Sequence, residues 1–326
     1  MKHRKIARLA GFSCLCACAF ALVSGCSIQK MAYNSASDML APYPAVHPKP
    51  VRGTDPMIAI TGENDPELVA DFFPGLLKVY EILLTQNPDH EGLGIMTGQL
   101  YIMYANAFIQ TPAETLPAEQ FDEQNAAYKR AQNFYIRGSG YVLASLDHKY
   151  KNFRSVISGK DSAAIAKVLA KCTKVDTTAL YWAAAGNLGA FALSPLESKY
   201  LATLPGSLAM LERASVLDPG FSNGAIWEIL MSFYASAPES LGGGKEKALI
   251  AWKNALAYSQ GKSPSAYIAY ARSFCIPSQD SAGFDENIEK ALSIDPDSQS
   301  SNRLALTIAH RQALWLKAHK ADYILE

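Results

Sequence analysis

The sequence predicts an all-α protein, a bundle or solenoid of helix pairs, and three observations support this prediction. Apolar residues recur at helical spacing from Asp65 onward. Helix-starting and helix-ending residues flank these apolar runs. No segment shows the alternation that is typical of a half-buried β-strand. With 326 residues, 49% of them apolar, the chain can bury one large core or two modest ones.

The first residues of the chain indicate a secretory signal. Basic residues precede an apolar run from Leu9 to Val23, and Ser24-Gly25-Cys26 follows it. The end of this segment resembles a bacterial lipobox, a class in which cleavage precedes a cysteine that is then acylated. We therefore predict a signal peptide at residues 1–25 and lipidation of Cys26. The alternative is an uncleaved anchor helix, but the run is shorter than the roughly 20 residues that span a bilayer.

Charge and cysteine content exclude several classes of function. Cleavage before Cys26 would leave 26 basic and 30 acidic residues, so nothing favours nucleic-acid binding or docking to anionic lipid. Membrane attachment would then depend on the acyl chains. Two further cysteines, Cys172 and Cys275, would remain in the mature chain. They are either small buried side chains or the partners of one disulfide.

Residues 26–60 are predicted to form a lipidated tether and a strap. A short helical stretch from Gln29 to Ala41 is followed by four prolines within nine residues, which cannot continue a helix. The remainder, residues 61–326, is predicted to be one all-helical domain.

Helix signals appear in order along this domain. Asp65-Pro66-Glu67 places an N-cap acid before a proline at the first helical position, and the helix is predicted to end at Asn87-Pro88. A second helix is predicted from Leu93 to Gln110, and residues 161–171 read as a short capped helix. Residues 178–193 are poor in charge and apolar all round, so this helix is expected to lie at the centre of the fold.

A weak internal repeat supports the helix-pair interpretation. Leu211 to Pro219 matches Ile288 to Pro296, with partial copies at Trp252 to Tyr258 and at Tyr80 to Pro88. The pattern resembles the second helix of a tetratricopeptide repeat, although its spacing is irregular. Stacked helix pairs form a curved solenoid with a concave face that is suited to binding.

No motif for catalysis, cofactor binding or metal binding is present. Gly242-Gly-Gly-Lys245 lacks the spacing of a phosphate loop and is predicted to be a turn. The segment Arg137-Gly-Ser139-Gly140 lacks the context of a nucleophile elbow and is also predicted to be a turn. No pair of histidines has metal-ligand spacing. The sequence therefore predicts no enzyme, no cofactor and no metal site, and an envelope hydrolase is the weakest of the hypotheses considered.

Aromatic residues within predicted helices are the remaining candidates for a site. Each is either core packing or part of the lining of a groove or channel for an apolar ligand. Asn187 could orient the polar end of such a ligand, or it could be a satisfied core amide. The candidates for the channel are Tyr101, Tyr104, Tyr181, Trp182, Asn187, Trp227, Tyr267 and Tyr270.

Several segments resemble one known family, the lipoprotein T components associated with tripartite ATP-independent periplasmic (TRAP) transporters. The resemblance covers nearly the whole chain and is strongest late in it. The segments that carry it include Gly62 to Asp71, Tyr104 to Phe108, Leu180 to Ala185, Gly242 to Ala248, Tyr270 to Asp280 and Asn302 to Ala305. The resemblance implies an all-α body with tetratricopeptide-like repeats, an internal apolar channel, and docking to a periplasmic solute-binding subunit. Leu306 and His310 depart from the family's pattern, which expects asparagine and glutamine there.

The leading hypothesis is a lipid-anchored periplasmic accessory protein of a TRAP-type transport system. It would dock a solute-binding subunit, be anchored to the cell membrane or outer membrane, and bind an apolar ligand in a helix-lined channel. The alternative is a scaffold for protein partners without a ligand, in which rim charges such as Arg272 and Arg303 would carry the docking. A homo-oligomer is compatible with either hypothesis.

Overall fold

The computed structural model describes residues 30–41 and 57–325, and every regular element within these ranges is a helix. The all-α prediction is therefore confirmed for the described residues. The predicted signal peptide, Cys26 and most of the predicted strap lie outside these ranges. The domain limits given above accordingly stay predictions. No helix in the described part of the chain is long and apolar enough to cross a membrane.

The first half of the fold contains two long helices and several short ones. A helix covers residues 30–40 (α1). The elements that follow are α2 (Ile58–Thr61), α3 (Pro66–Gln86), α4 (Glu91–Tyr104), a π-helical segment (Ala105–Gln110), α5 (Thr111–Ala113), a 3-10 turn (Ala118–Gln120), α6 (Phe121–Lys149), α7 (Phe153–Ile157) and α8 (Ser162–Leu169).

The second half begins with the predicted central helix. Its helices are α9 (Thr177–Leu193), α10 (Ser198–Leu217), α11 (Ala225–Ser236), α12 (Lys245–Ser259), α13 (Pro264–Tyr270), a π-helical segment (Ala271–Cys275), α14 (Ile276–Ser278), α15 (Ser281–Leu292) and α16 (Arg303–Ala318). The connections include 3-10 turns at Lys174–Asp176, Phe221–Gly224, Glu239–Leu241, Pro296–Ser298 and Lys320–Asp322.

Two of the predicted helix starts, at Asp65 and Asp161, are the ones that the structure uses, whereas the second predicted helix begins at Glu91 rather than Leu93. The Asp65 side chain accepts a hydrogen bond from the Leu68 backbone N–H at 3.0 Å and caps α3. Asp161 caps α8 in the same way, with the N–H groups of Ala163 and Ala164 as donors. Each cap satisfies backbone donors that the first turn of a helix leaves unpaired.

One predicted turn is wrong. Residues 137–140 lie inside α6, and the buried Ser139 hydroxyl donates to the Ala183 carbonyl of α9 at 2.9 Å. Gly138 is tolerated within the helix because α4 passes very close to it. A Cβ added at Gly138 would lie 2.7 Å from the Gly98 carbonyl oxygen. The glycines here permit close helix packing rather than a chain reversal.

The α9 helix occupies the centre of the fold, as predicted. It packs between α6 and α10 and also contacts α4. Asn187 is buried on the face toward α10, where its amide donates to the Ser207 hydroxyl at 3.1 Å. One stripe of α9 is only half-buried, and Tyr181, Trp182 and Ala185 belong to it. The helix is therefore central without being enclosed on every side.

The helices pack in a circuit that closes on itself. Contacts run from α3 through α4, α6, α9, α10, α11 and α13 to α16, and α16 returns to contact α2 and α3. The Arg311 guanidinium of α16 makes a two-pronged ion pair with Glu67 of α3. Arg272 also joins the second half to the first, through an ion pair with Glu114 at 2.8 Å. Helices far apart in the sequence are thus held against each other.

The segments of the internal repeat fall at the ends of α3, α10 and α15 and within α12. Their assignment as tetratricopeptide-like repeats stays a prediction. Cys172 and Cys275 are both buried free thiols, so the structure does not pair them. Burial raises the pKa of each thiol to about 11, which is typical of inert structural cysteines.

Candidate functional site

The half-buried stripe of α9 brings two of the predicted aromatic residues together. Tyr181 and Trp182 meet edge to face, with ring centroids 5.0 Å apart. Phe221, in the 3-10 turn before α11, packs on Tyr181 at 5.1 Å. All three rings are half-buried, and Trp182 contacts both of the large apolar clusters of the core. Apolar ring surface therefore remains accessible next to the central helix.

Glu228 of α11 acts electrostatically on Tyr181 of this aromatic group, and the sequence analysis did not identify it. It is the only charged residue of α11, and its Oε1 accepts a hydrogen bond from the Ser263 hydroxyl. Burial raises the pKa of the Glu228 carboxyl to about 7, although the Ser263 hydrogen bond lowers it. Burial also raises the pKa of the Tyr181 phenol, and the negative charge of Glu228 adds to that effect. A single acid in an otherwise apolar helix was the available signal.

A second group of rings lies on α12 and α13. Tyr270 packs against Trp252 at 4.3 Å and against Phe274 at 4.9 Å. Tyr270 contacts both the core cluster around α9 and the cluster formed by α13, α15 and α16. Tyr267, one turn earlier, belongs to the second of these clusters, where Lys290 lies 6.0 Å from its ring centroid.

Trp227 has the contacts of a structural side chain. Its indole N–H donates to the Pro219 carbonyl at 2.8 Å, and its ring stacks on Tyr258 with a centroid distance of 6.4 Å. The Asn187 amide also has a hydrogen-bond partner in Ser207. A direct role of either residue toward a ligand stays a prediction.

Tyr101 and Tyr104 lie in a different part of the core from Tyr181. They are 1% and 7% exposed, and Phe134 packs on both rings, at 5.3 Å and 5.7 Å. Arg137 lies 5.0 Å from the Tyr101 ring centroid. The structure therefore places these two tyrosines in the cluster between α3, α4 and α6, against which Trp182 and Ala185 of α9 also pack.

A polar network links the two π-helical segments. The Asn106 amide of the first segment donates to the hydroxyl of the buried Tyr135 at 3.1 Å. That hydroxyl in turn donates to the side-chain oxygen of Gln110 at 2.6 Å. Gln110 then donates to Glu114 at 2.8 Å, and Glu114 pairs with Arg272 of the second segment. Single-turn π-helical insertions are frequent at functional sites. Here they hold the polar residues that join the two halves of the fold.

The two arginines predicted to serve docking both have partners within the chain. Arg272 is paired with Glu114, and the Arg303 guanidinium lies 2.8 Å from the Asp297 carboxylate. A role of either residue in docking stays a prediction.

The structure also reveals an exposed apolar stripe on α3 that the sequence analysis did not recognise as a surface. Its members Leu68, Phe72, Val79 and Ile82 follow one another at helical spacing and are 57%, 54%, 48% and 62% exposed. The opposite face of α3 is buried, so the helix is apolar on both sides. An exposed apolar helix face marks an interaction surface.

The described residues contain no group of histidine, cysteine, aspartate and glutamate side chains that could hold a metal ion. A surface cleft of about 740 Å³ lies where α6 meets α7, and its lining includes Asp147, Lys149 and Arg154. None of the predicted site residues borders that cleft.

Comparison with family models identifies one family. A family model described as the TRAP transporter T-component matches residues 62–324. A protein of Treponema pallidum (strain Nichols), described only as uncharacterized, is 46% identical over 320 residues. That alignment covers 96% of this chain and 98% of the relative.

Proposed function

This chain belongs to the TRAP transporter T-component family, and on that premise we propose that it is a lipid-anchored periplasmic subunit that binds an apolar ligand and docks a solute-binding subunit. The family is one of transport accessory components, so the accessory role in a TRAP system follows from membership. The ligand, the lipid on Cys26, the periplasmic location and the docking partner are the parts that we propose.

The observation that carries the ligand proposal is the half-buried aromatic face of α9. Tyr181, Trp182 and Phe221 are packed on one another beside the central helix and are only half-buried. A packed core normally covers such rings completely. Ligand sites are mostly apolar, with a few polar groups, and Glu228 beside these rings supplies such a group.

Filling this face should prevent ligand binding. Ala185 lies half-buried on the same stripe of α9, so the substitution Ala185→Leu places extra methyl groups where the ligand chain would lie. We expect the affinity for 1-octanol, measured by isothermal titration calorimetry, to fall at least about tenfold, which corresponds to about 1.4 kcal/mol.

The matched control is Ala202→Leu, the same change at an exposed position of α10. It should leave octanol binding unchanged. Equal affinities of the unaltered protein and both variants would contradict the proposed ligand site. Absence of octanol binding by the unaltered protein would favour the scaffold alternative, provided that a protein partner is still retained.

The exposed stripe of α3 supports docking to a protein partner. Leu68, Phe72, Val79 and Ile82 form a continuous apolar face without a covering element among the described residues. Protein interfaces concentrate affinity in a few buried aromatic and apolar anchors. Phe72, the aromatic member, is the expected anchor for the solute-binding subunit.

Introducing a charge at this anchor should weaken docking. We expect Phe72→Glu to reduce the amount of the cognate solute-binding subunit that co-purifies with the protein at least about tenfold, because a desolvated charge is costly in an apolar interface. Thr85→Glu introduces the same charge at an exposed position on the polar side of α3 and should leave co-purification unchanged. Full retention of the partner by Phe72→Glu would remove α3 as the docking surface.

A further inference from the structure

A polar cavity of about 270 Å³ lies between the first half of α6 and the turn that joins α9 to α10. Of the described residues that line it, Leu193 is the one with an aliphatic side chain. None of the rings grouped around Tyr181 borders this cavity, so it is separate from the aromatic face of α9. The uncharged polar residues of its wall are Asn125, Tyr128, Gln132, Asn133, Ser194 and Tyr200.

Gln132 is the buried amide of this wall, and it is 6% exposed. Its amide nitrogen donates to the Ser194 hydroxyl oxygen at 2.6 Å, which joins α6 to the end of α9. Within the described part of the chain, no group donates to the Gln132 side-chain oxygen, and none accepts the Ser194 hydroxyl proton. That oxygen is not sealed in the core, so it is open to the cavity. The pair therefore presents an acceptor and a donor next to each other.

Further hydrogen-bonding groups of the wall are also unused. Asn125, Tyr128 and Gln132 are three and four residues apart and so share one face of α6. The side chains of Asn125, Tyr128 and Asn133 make no hydrogen bond to any residue that the structure describes. Each amide can both donate and accept, as can the phenol hydroxyl. A polar cavity with this many free groups requires an occupant that satisfies them.

The charged residues at the cavity do not select an ion. Lys199 pairs with Glu197 at 2.8 Å and lies 4.6 Å from the Tyr200 ring centroid. Lys129 is exposed, and solvent screens the attraction of such a charge. Recognition therefore falls to the uncharged donors and acceptors. A molecule with several hydroxyl groups matches them, because each hydroxyl both donates and accepts.

We infer that this cavity binds a small polyhydroxylated molecule of about monosaccharide size. One hydroxyl of the ligand donates to the Gln132 oxygen, and its neighbour accepts from the Ser194 hydroxyl. The amides of Asn125 and Asn133 bond with further hydroxyls. The site is distinct from the proposed apolar ligand site and does not depend on it.

Four uncharged probes test the site by isothermal titration calorimetry on the full mature protein: glucose, galactose, mannose and myo-inositol. We expect at least one of them to bind with a Kd below about 1 mM. Tetrahydropyran-2-methanol keeps the pyranose ring of these sugars without its ring hydroxyls, and it should bind at least about tenfold more weakly. Binding of none of the four, as in a cavity that holds only water, would overturn the inference. Equal binding of the best probe and tetrahydropyran-2-methanol would overturn it too.

Two variants test whether the probe binds in this cavity. Gln132→Leu removes the free acceptor and the hydrogen bond to Ser194, and Asn133→Ala removes an exposed amide of the wall. Each should lower the affinity for the tightest-binding probe at least about tenfold. The matched controls are Gln86→Leu and Asn64→Ala, at exposed positions that do not line the cavity. They should leave the affinity unchanged.

The remaining outcomes separate this site from the apolar one. Unchanged affinity in both cavity variants would place probe binding elsewhere and overturn the inference. If Gln132→Leu fails to fold by circular dichroism, the exposed Asn133→Ala decides alone. Binding of 1-octanol should be retained in both cavity variants, because the aromatic face of α9 is unaltered in them. Absence of octanol binding by the unaltered protein would contradict only the apolar ligand site.

Discussion

Replacing Glu228 with glutamine should stabilise the protein at alkaline pH by roughly 3 kcal/mol. The carboxyl has a pKa of about 7 in the folded protein against an ordinary value of 4.5, and one pKa unit is worth about 1.36 kcal/mol. A carboxyl whose pKa is raised by folding favours the folded state while it is protonated. Its contribution to the free energy of unfolding is full below about pH 4.5 and is lost as the pH rises through about 7. Glutamine keeps a polar group beside Ser263 without the charge.

Urea denaturation at pH 5, 7 and 8.5 measures this effect. The free energy of unfolding of the unaltered protein should fall, relative to that of Glu228→Gln, by roughly 3 kcal/mol across this range. The exposed control Glu246→Gln should follow the unaltered protein at each pH. Parallel pH profiles for the unaltered protein and Glu228→Gln would show that the carboxyl is well solvated in the folded state.

Removing the buried charge of Asp176 should cost roughly 3 kcal/mol of stability at pH 7. Asp176 is fully buried just before α9, and its carboxylate accepts hydrogen bonds from Lys149 at 2.5 Å and from Tyr150 at 2.7 Å. The backbone N–H of Thr173 adds a third at 2.8 Å. In Asp176→Asn the amide cannot accept all three bonds, and Lys149 loses its counter-ion. The start of the central helix then loses its connection to the end of α6.

The pH dependence of this effect has the opposite sign to that of Glu228. Burial alone would raise the pKa of Asp176, but the hydrogen bonds from Lys149, Thr173 and Tyr150 together lower it below its ordinary value of 3.8. The stability that it contributes is therefore full above pH 3.8 and is lost as the pH falls further.

Asp89→Asn is the matched control, because Asp89 is 86% exposed. By chemical denaturation, the free energy of unfolding of the control should differ from that of the unaltered protein by no more than about 0.5 kcal/mol. A similarly small change for Asp176→Asn would contradict the prediction.

Local signals predicted the helices well. Asp65 and Asp161 cap the helices that their position in the sequence indicates. The absence of charge between residues 178 and 193 predicted the central position of α9. Such features depend on a few neighbouring residues, because capping and helical periodicity act within one or two turns.

The wrong turn at residues 137–140 shows the limit of local signals. Gly138 serves the close approach of Gly98, a residue 40 positions away that only the folded chain brings near.

The site itself was only partly predictable. Tyr181 and Trp182 are adjacent in the sequence, so their proximity follows from it, but no local pattern separates Tyr181 from Tyr101, which lies in a different cluster. Glu228 could have been singled out as the lone acid of an apolar helix. Its partner Ser263 lies 35 residues away, next to a different helix, so this hydrogen bond could not be foreseen.

The sequence by itself determined the helical class, the starts of α3 and α8 and the central place of α9, and its resemblance indicated the family that the family model confirms. Only the tertiary structure decided which apolar faces are buried. Tyr80 of α3 lies in the core, whereas Phe72 on the same helix is exposed. The physical reason is that periodicity reveals an apolar face but not what covers it. That depends on long-range contacts such as the pairing of Arg272 with Glu114, which join residues 158 positions apart.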